Sequence, residues 1–258
     1  MKVFNTLEEW HRVRRSADWA GRTVGFVPTM GALHAGHKAL LARARAENER
    51  VVLSVFVNPT QFDDPADLAR YPRTPEADLA LARPLADAVL APAAEAIYPG
   101  GHRYRVTEND LSLRWEGAHR PGHFDGVLTV VLKLFNLVQP TRAYFGEKDW
   151  QQLQLVRGMA EALLLPLEIV PCATVRESDG LALSSRNRRL SPLGRAHAAD
   201  FPEVLRTARD AAEAEDRLRR RGFEVDYVAD HDGVRLGAVR VEGVRLIDNF
   251  RLVAPPAP

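Results

Sequence analysis

Two histidines lie three residues apart at the end of residues 28–37, which read Pro-Thr-Met-Gly-Ala-Leu-His-Ala-Gly-His. This stretch follows an apolar run over 24–27 that is typical of a buried strand, and residues 38–47 after it have helical composition. A glycine-bearing turn at a helix N-terminus favours phosphate, because free backbone N–H groups and the positive end of the helix dipole meet there. If His34 and His37 share the first helical turn, both imidazoles can donate to one phosphate chain.

Two other interpretations of this histidine pair remain open at this point. The histidines could form half of a metal site, although zinc usually takes three or four protein ligands and the single cysteine, Cys172, is remote in sequence. They could also be ordinary capping or surface residues. The choice depends on what else the chain carries.

Amide side chains follow the next apolar run. Residues 51–57 predict a second strand, so strand, helix and strand form a βαβ unit of a parallel sheet. Ligands in such sheets lie beyond the carboxyl ends of the strands, so we expect Asn58 and Gln61 to face the same crevice as the histidines. Amides there suit a small substrate that carries hydroxyls and a carboxylate, although a solvated turn is the alternative.

A charged turn, Gly146-Glu147-Lys148-Asp149, follows a predicted strand over 142–145. Lys148 can reach phosphate oxygens, and Asp149 can accept a hydrogen bond from a ribose or orient the lysine. One of Gln151 and Gln152, in the helix that begins there, should look into the same space as Gln61. An ordinary charged turn is the alternative interpretation.

Hydroxyl and guanidinium groups follow the predicted strand over 167–175. Ser184 and Ser185 can donate to oxygens while Arg186 supplies fixed positive charge, which together predicts a clamp for a polyanion. Residues 120–124, Arg-Pro-Gly-His-Phe, could add positive charge to the crevice. Solvated surface loops are the alternative for both segments.

Periodicity places the remaining elements and suggests two domains. We predict an α/β architecture with a Rossmann-like parallel-sheet domain over residues 1–177 and a smaller α+β domain over 178–258. Within the first domain we predict helices over 7–16, from 75 onward and over 126–138, a strand over 88–92, and a hairpin with loops over 98–124. Within the second we predict helices over 191–199 and 201–221, then antiparallel strands over 223–228, 238–241 and 244–247 with one wet face.

Composition limits the possible partners. Among 258 residues, 46% are hydrophobic, so a sizeable core can form, and 35 basic against 34 acidic side chains leave a formal charge of only +1. No global field therefore favours nucleic acid or an anionic membrane, and the basic run 217–221 suits a helix C-terminus. The lone cysteine excludes an internal disulfide, and no apolar run is long enough for a membrane span, so we expect a cytoplasmic protein. An Ala/Pro tail ends the sequence.

Taken together, these motifs closely resemble the pantothenate synthetase (pantoate:β-alanine ligase) family. The resemblance is carried by residues 28–37, 56–62, 71–73, 120–124, 145–152 and 179–187, which occur in the family's order. The His-x-Gly-His turn and the Ser-Ser-Arg loop are also similar to the signature motifs of class I aminoacyl-tRNA synthetases. The resemblance implies that ATP first converts pantoate to an adenylate, with release of pyrophosphate, and that β-alanine then displaces AMP.

The resemblance also implies roles for individual residues. His37 would be the proton donor, with His34, Lys148 and Arg186 assisting catalysis, while Gln61 would serve pantoate and β-alanine and Gln152 would serve pantoate. We expect Asn58 to join them. The implied ATP contacts are Met30, Gly31, Ala32, Leu33, His34, Ala35, Gly36, His37, Gly146, Glu147, Lys148, Asp149, Val175, Leu183, Ser184, Ser185 and Arg186. Mg²⁺ would bind mainly through phosphates, with Asp78 a candidate for an outer-shell contact, and the family resemblance implies a homodimer.

Two departures from the family pattern carry expectations of their own. Thr60 stands where the family commonly has methionine in the wall of the pantoate pocket. The C-terminal lid domain is expected to be shorter than usual, with little helical material after Arg189, which would impair closure over the site. Two alternatives remain open. One is a nucleotidyltransferase of the same superfamily, since the same phosphate turn serves both kinds of enzyme, and the other is an ATP-binding homologue with turnover impaired by the shortened lid.

Overall fold

The computed structural model describes residues 1–252, and the Ala/Pro tail lies outside this range. The strands within it are β1 (Lys2–Phe4), β2 (Val24–Thr29), β3 (Arg50–Val55), β4 (Ala88–Leu90), β5 (Arg142–Gly146), β6 (Glu168–Cys172), β7 (Glu224–His231), β8 (Val234–Val241) and β9 (Val244–Arg251). The α-helices are α1 (Leu7–Arg14), α2 (Ala35–Glu47), α3 (Pro65–Ala69), α4 (Pro75–Ala82), α5 (Ala94–Ile97), α6 (Trp115–His119), α7 (His123–Val138), α8 (Trp150–Ala162), α9 (Pro192–Ala198), α10 (Asp200–Thr207) and α11 (Ala211–Arg220). Short 3₁₀ helices occupy Pro59–Gln61, Leu111–Leu113, Glu147–Asp149 and Ser185–Arg189.

The chain divides into two compact units. Unit 1 comprises Met1–Gly146 and Gln151–Cys172, and unit 2 comprises Glu147–Trp150 together with the chain from Ala173 onward. Residues 147–150 thus belong to unit 2, although the residues on both sides of them in the sequence belong to unit 1. No single boundary in the sequence separates the two units.

Unit 1 is built on a parallel six-stranded sheet in the order β1-β4-β3-β2-β5-β6. Successive side chains of a strand point to opposite faces, and both faces are buried here: Phe26 and Val52 belong to one apolar cluster, Val27 and Leu53 to the other. Helices α1, α7 and α8 contribute to the first cluster, and α2 and α4 to the second. The predicted Rossmann-like parallel sheet is confirmed. It has one strand more than predicted, β1, whose three residues are too few to show a period.

Unit 2 contains an antiparallel sheet in the order β7-β8-β9, as predicted. The expected wet face is wrong for the central strand, because seven of the eight residues of β8 are buried. The expectation of little helical material after Arg189 is also wrong, since α9, α10 and α11 follow it. The basic run at the end of α11 forms ion pairs one turn apart, Arg217 with Glu213, Arg219 with Glu215 and Arg220 with Asp216.

The predicted helix over 201–221 is two helices, and Arg235 explains the break. Its side chain is 1% exposed, forms a two-point ion pair with Asp230 and donates to the Leu205 and Ala208 carbonyls at the end of α10. Asp210 then caps α11 by accepting from the Glu213 N–H at 2.8 Å. A distant arginine therefore decides where α10 ends.

The loops predicted over 98–124 are present over residues 98–110, but the predicted hairpin is wrong, because short helices at Leu111–Leu113 and Trp115–His119 follow in place of paired strands. The Glu108 carboxylate accepts the backbone N–H groups of residues 110, 111 and 112 and so organises the turn before α6. Gln151 then holds the Leu111 and Arg114 carbonyls at 2.7 and 2.8 Å. Such contacts between side chains and backbone leave no periodic signal in the sequence.

Candidate functional site

His34 and His37 cap the first turn of α2 reciprocally. The Nδ1 atom of His34, the N-cap residue, accepts from the Gly36 N–H at 3.2 Å, while Nδ1 of His37 accepts from the His34 N–H at 3.3 Å. An imidazole that accepts through Nδ1 carries its proton on Nε2 when neutral, so each ring offers an Nε2–H donor. The ring centroids lie 4.1 Å apart.

Gly36 makes this arrangement possible. A Cβ at position 36 would lie 2.9 Å from Cε1 and 3.0 Å from Nδ1 of His34, so a larger residue would push the imidazole out of its capping position. The glycine in His-Ala-Gly-His is therefore required by the first histidine as well as by close approach of a ligand.

The Asp78 carboxylate supports the turn that precedes the histidines. It is 3% exposed and accepts from the Ala32 N–H at 3.0 Å, from the Leu33 N–H at 2.7 Å and from the Thr74 hydroxyl at 3.0 Å. These bonds fix Ala32 in the left-handed region, with φ of 50°, beside Gly31 at 84°. Since its oxygens already accept these hydrogen bonds in the interior, the outer-shell metal role expected for Asp78 is replaced by a positioning role.

The backbone donors of this turn are used inside the protein. The N–H of Gly31 donates to the Thr29 hydroxyl at 3.2 Å, and those of Ala32, Leu33, His34 and Gly36 donate to Asp78 and the two imidazoles. The expectation that the backbone N–H groups of this turn point at a ligand is therefore wrong for these five. Because Nδ1 of each imidazole accepts, the donors that the two side chains can offer are their Nε2–H groups.

Asn58 orients Gln61 within unit 1. The Asn58 side chain is 1% exposed; its Nδ2 donates to Gln61 Oε1 at 3.0 Å and to the Gly126 carbonyl at 3.1 Å. Its Oδ1 accepts from the Tyr98 hydroxyl at 2.8 Å and from the Thr60 hydroxyl at 3.0 Å. Both ends of the Asn58 amide are thus engaged, so the predicted ligand contact is corrected to a supporting role that leaves Gln61 to donate through its NH₂ group.

Arg120 and His123 hold the backbone of Gln61. Its carbonyl accepts from Arg120 Nη2 at 3.2 Å and lies 2.8 Å from His123 Nδ1, which must therefore carry the proton. Burial, and next the Arg120 charge, lower the pKa of His123 from 6.5 to about 4, so the ring is neutral. Arg120 also pairs with Glu116 and Asp63, so its charge is balanced within the protein, contrary to the expected contribution of positive charge to the crevice.

A cavity of about 200 Å³ opens beside Gln61 in unit 1. Side chains of both charge signs line it, including Asp63, Arg105 and Asp125. Its volume lies below the range of pockets that hold nucleotide-sized ligands.

The two adjacent glutamines of α8 differ in their surroundings. Gln151 is 5% exposed and accepts from the Glu116 N–H at 3.1 Å, in addition to the two carbonyls that it holds. Gln152 is half-buried. Of the two side chains, Gln152 therefore remains the candidate for substrate binding.

Unit 2 carries the second group of predicted site residues. The Leu183 N–H donates to the Val175 carbonyl at 3.0 Å, which brings these two residues together. Ser184 caps the 3₁₀ helix Ser185–Arg189 by accepting from the Arg186 N–H at 3.2 Å. Lys148 lies in the 3₁₀ turn Glu147–Asp149 and is half-buried, whereas Asp149 is exposed.

Neither a metal cluster nor a membrane helix is found in the described range. Within residues 1–252, no group of three or more His, Cys, Asp or Glu side chains is placed to hold a metal ion. In the same range, no helix has the length and apolar character that crossing a membrane requires.

Known proteins are similar to this chain over nearly its whole length. The sequence model of the pantoate-beta-alanine ligase family matches residues 2–251. A pantothenate synthetase of Bdellovibrio bacteriovorus is 56% identical over 231 residues, covering 89% of this chain and 92% of that protein. A pantothenate synthetase of Legionella pneumophila is 48% identical over 253 residues, covering 98% of this chain and 100% of that protein, so the two agree in extent.

Solved structures are similar over the same range. The crystal structure of a pantothenate synthetase from Thermus thermophilus has a TM-score of 0.89 and 46% identity, covering 97% of this chain and 99% of that chain. A pantoate-beta-alanine ligase from Francisella tularensis, complexed with beta-gamma ATP and beta-alanine, has a TM-score of 0.93 and 36% identity, with both chains fully covered.

Proposed function

Because the chain belongs to the pantoate–β-alanine ligase family, whose members use ATP to condense pantoate with β-alanine, we propose that it works in two steps on the residues described above. First, a pantoate carboxylate oxygen forms a bond to the α-phosphorus of ATP as the bond from that phosphorus to the bridging oxygen breaks and pyrophosphate leaves. The β-alanine amine then attacks the acyl carbon of the adenylate. AMP leaves with the acyl oxygen, and the amine nitrogen gives up its proton as the amide forms.

The reciprocal capping of His34 and His37 is the observation that carries the mechanism. It fixes two adjacent imidazoles with their protons on Nε2. Preorganised donors of this kind stabilise negative charge that grows on a leaving pyrophosphate, without reorganisation during the reaction. His37 thereby steadies the departing group as a neutral hydrogen-bond donor. Full transfer of a proton would need an imidazolium, whose Nδ1 could no longer accept the His34 N–H.

The chemistry of the other predicted residues suggests a role for each of them. Lys148 and Arg186 supply positive charge to the phosphates, and Ser184 and Ser185 supply hydroxyl donors. Gln61 and Gln152 bind the hydroxyl and carboxylate groups of pantoate, and Gln61 also serves β-alanine. The remaining ATP contacts are Met30 to Ala35, Gly36, Gly146, Glu147, Asp149, Val175 and Leu183.

Mg²⁺ is proposed as the companion of ATP. Magnesium prefers phosphate and water oxygens with few protein carboxylates. The Asp78 carboxylate holds the backbone of the turn, so phosphate and water oxygens would be the main ligands of the ion. When bound, the ion would neutralise phosphate charge.

We also propose a homodimer and a cytoplasmic location. The dimer is proposed on the ground of the family to which the chain belongs. The lone Cys172 is compatible with a reducing compartment. Light scattering of the purified chain measures the subunit number, and a monomer at micromolar concentration would contradict the dimer.

An omission experiment tests the function. The purified protein is mixed with ATP, Mg²⁺, pantoate and β-alanine, each left out in turn, while pyrophosphate, AMP and the amide product are measured. We expect pyrophosphate to need pantoate, and AMP and product to need β-alanine as well. A nucleotide-linked product that accumulates unchanged with the amine present would indicate the nucleotidyltransferase alternative, and ATP binding without either product would indicate the non-catalytic homologue.

A further inference from the structure

Asn249 of strand β9 holds two consecutive backbone carbonyls of the Glu147–Asp149 turn. Its Nδ2 atom donates to the Glu147 carbonyl at 2.8 Å and to the Lys148 carbonyl at 2.9 Å. One NH₂ group has two hydrogens, so each carbonyl receives one of them. Two bonds from a single planar amide fix the orientation of both peptide groups and therefore the direction in which the Lys148 side chain leaves the backbone.

The Asn249 backbone is itself held firmly by a buried ion pair. Asp248 is 3% exposed and binds Arg176 through both carboxylate oxygens, at 2.6 and 2.9 Å. Asp248 Oδ1 also accepts the Asn249 N–H at 2.8 Å, and Arg176 Nη2 donates to the Asn249 carbonyl at 3.2 Å. The guanidinium lies 4.2 Å above the Phe250 ring. The Asn249 side chain that binds the turn thus extends from a backbone held in place by Asp248 and Arg176.

The Arg176–Asp248 ion pair also holds the second loop of predicted ATP contacts. Arg176 Nη1 donates to the Gly180 carbonyl at 3.0 Å, in the segment that leads to Ser184 and Arg186. Consecutive residues of one strand therefore fasten both loops of unit 2 that carry predicted phosphate-binding side chains. Asn249 fastens the Lys148 turn directly, and Asp248 fastens the other loop through Arg176.

A second contact with the turn provides a comparison. Arg251 binds the Glu147 carboxylate at 3.0 Å, but its side chain is 82% exposed. Exposed ion pairs contribute little to the position of a backbone, because water screens them and both side chains remain mobile. The half-buried amide and the exposed guanidinium thus contact the same turn with very different expected effects.

We propose that Asn249 is a positioning residue for adenylate formation, acting through the backbone of Lys148. The inference rests on the proposed function, in which Lys148 binds ATP phosphates. A lysine ammonium sits at the end of a flexible four-carbon stem, so the turn must supply the precision that the side chain lacks. Displacement of a reacting or charge-stabilising group by about 1 Å can lower a rate ~100-fold.

The test is a double-mutant cycle on the pantoate-dependent exchange of pyrophosphate into ATP. Asn249→Ala, Lys148→Ala and the double variant are compared with the unchanged protein, with Arg251→Ala as the matched control. We expect Asn249→Ala to lower kcat/KM for ATP in the exchange ~10- to 100-fold, with little change in the KM for β-alanine measured in the complete reaction. In the Lys148→Ala background the same substitution should have almost no further effect, because the group that it positions is gone.

Several outcomes would overturn the proposal. The first is an unchanged exchange rate in Asn249→Ala. The second is a double variant whose fold-loss in rate equals the product of the losses in Asn249→Ala and Lys148→Ala. The third is an equal loss of rate in Arg251→Ala. A normal rate in Lys148→Ala would overturn both the ATP role of Lys148 and the route through it, whereas failure of Asn249 alone leaves the proposed function intact. Asn249→Asp preserves the shape and removes both donors, so if Asn249→Ala does not fold, the isosteric variant carries the test, and thermal unfolding confirms that it is folded.

Discussion

The Asp78 carboxylate accepts the Leu33 backbone N–H at 2.7 Å across 45 residues of sequence. With the bond to Ala32, it sets the backbone of the turn that delivers both histidines. The conformation of the turn therefore depends on a side chain of α4, outside the motif itself.

Replacing Asp78 by Asn should damage ATP use more than its small change in shape suggests. One backbone N–H loses its acceptor and the other loses a charged one, and hydrogen bonds to a charged group contribute about 1.5–3 kcal/mol each. We expect kcat/KM for ATP to fall ~10-fold or more, with a lower melting temperature. Glu76→Gln, an exposed change in the same helix, is the control, and equal kinetics in the two variants would contradict the role of Asp78.

His37→Ala should lower pantoate-dependent pyrophosphate release by two or more orders of magnitude, the range of about 10²–10³ found for lost transition-state donors. The variant also loses the acceptor of the His34 N–H, so thermal unfolding must show that it is folded at the assay temperature. His11→Ala, an exposed histidine of α1, should leave the rate unchanged. A near-normal rate in His37→Ala would refute the role assigned to this imidazole.

Gly126→Ala should disturb pantoate binding through a steric clash. A Cβ at this position would lie 2.5 Å from the Thr60 carbonyl oxygen and 2.7 Å from the Gln61 nitrogen, so α7 must move away from the turn that carries Gln61. We expect a stability loss of about 1–3 kcal/mol and a raised KM for pantoate. Both are measured, by urea unfolding and by initial rates.

Gly158→Ala is the matched control for that substitution. Gly158 lies in α8, is exposed, and has nothing within 4 Å of an added Cβ. Alanine favours a helix over glycine by about 0.8–1 kcal/mol, so this variant should be slightly more stable with unchanged kinetics. If both variants behave alike, close packing at Gly126 is not what positions Gln61.

His123 should make stability depend on pH in the acid range. Burial is the main cause that lowers the pKa of His123 in the folded protein to about 4, below the unfolded value of 6.5. Between these two pH values the ring is protonated in the unfolded chain and neutral in the folded chain. The stability from the neutral ring is complete above pH 6.5 and is lost as pH falls toward 4, by ~3 kcal/mol in total.

His123→Asn should reduce this pH dependence, because asparagine can still donate to the Gln61 carbonyl but does not titrate. Urea unfolding of both proteins at pH 7 and pH 5 measures the difference, in which the carboxylates common to both cancel. Equal slopes with pH would show that His123 is already protonated in the folded protein at pH 5.

The sequence predicted the parallel sheet and the histidine turn because both depend on local signals. The apolar run 51–57 and the helical composition after His37 are visible without knowledge of distant residues. The structure places the strand at Arg50–Val55 and the helix at Ala35–Glu47, with each end at most three residues from the expected position.

Other features could not be read in this way because distant side chains decide them. Asp78 looks like an ordinary first-turn carboxylate of α4, and nothing near it indicates that it binds the backbone of residues 32 and 33. Arg235, 27 residues beyond Ala208, ends α10. Asn58 was predicted as a ligand contact because amides bind substrates, but the same donor and acceptor pattern also serves a buried support.

The internal bonds of the histidine turn mean that its shape is set before any nucleotide arrives. Binding of a ligand therefore causes little further loss of conformational entropy in this turn, and ordering of the loop does not weaken the affinity. In the proposed function, the triphosphate of ATP binds to a turn that is already formed. We expect the amide protons at positions 32 and 33 to exchange slowly with solvent in the ligand-free protein.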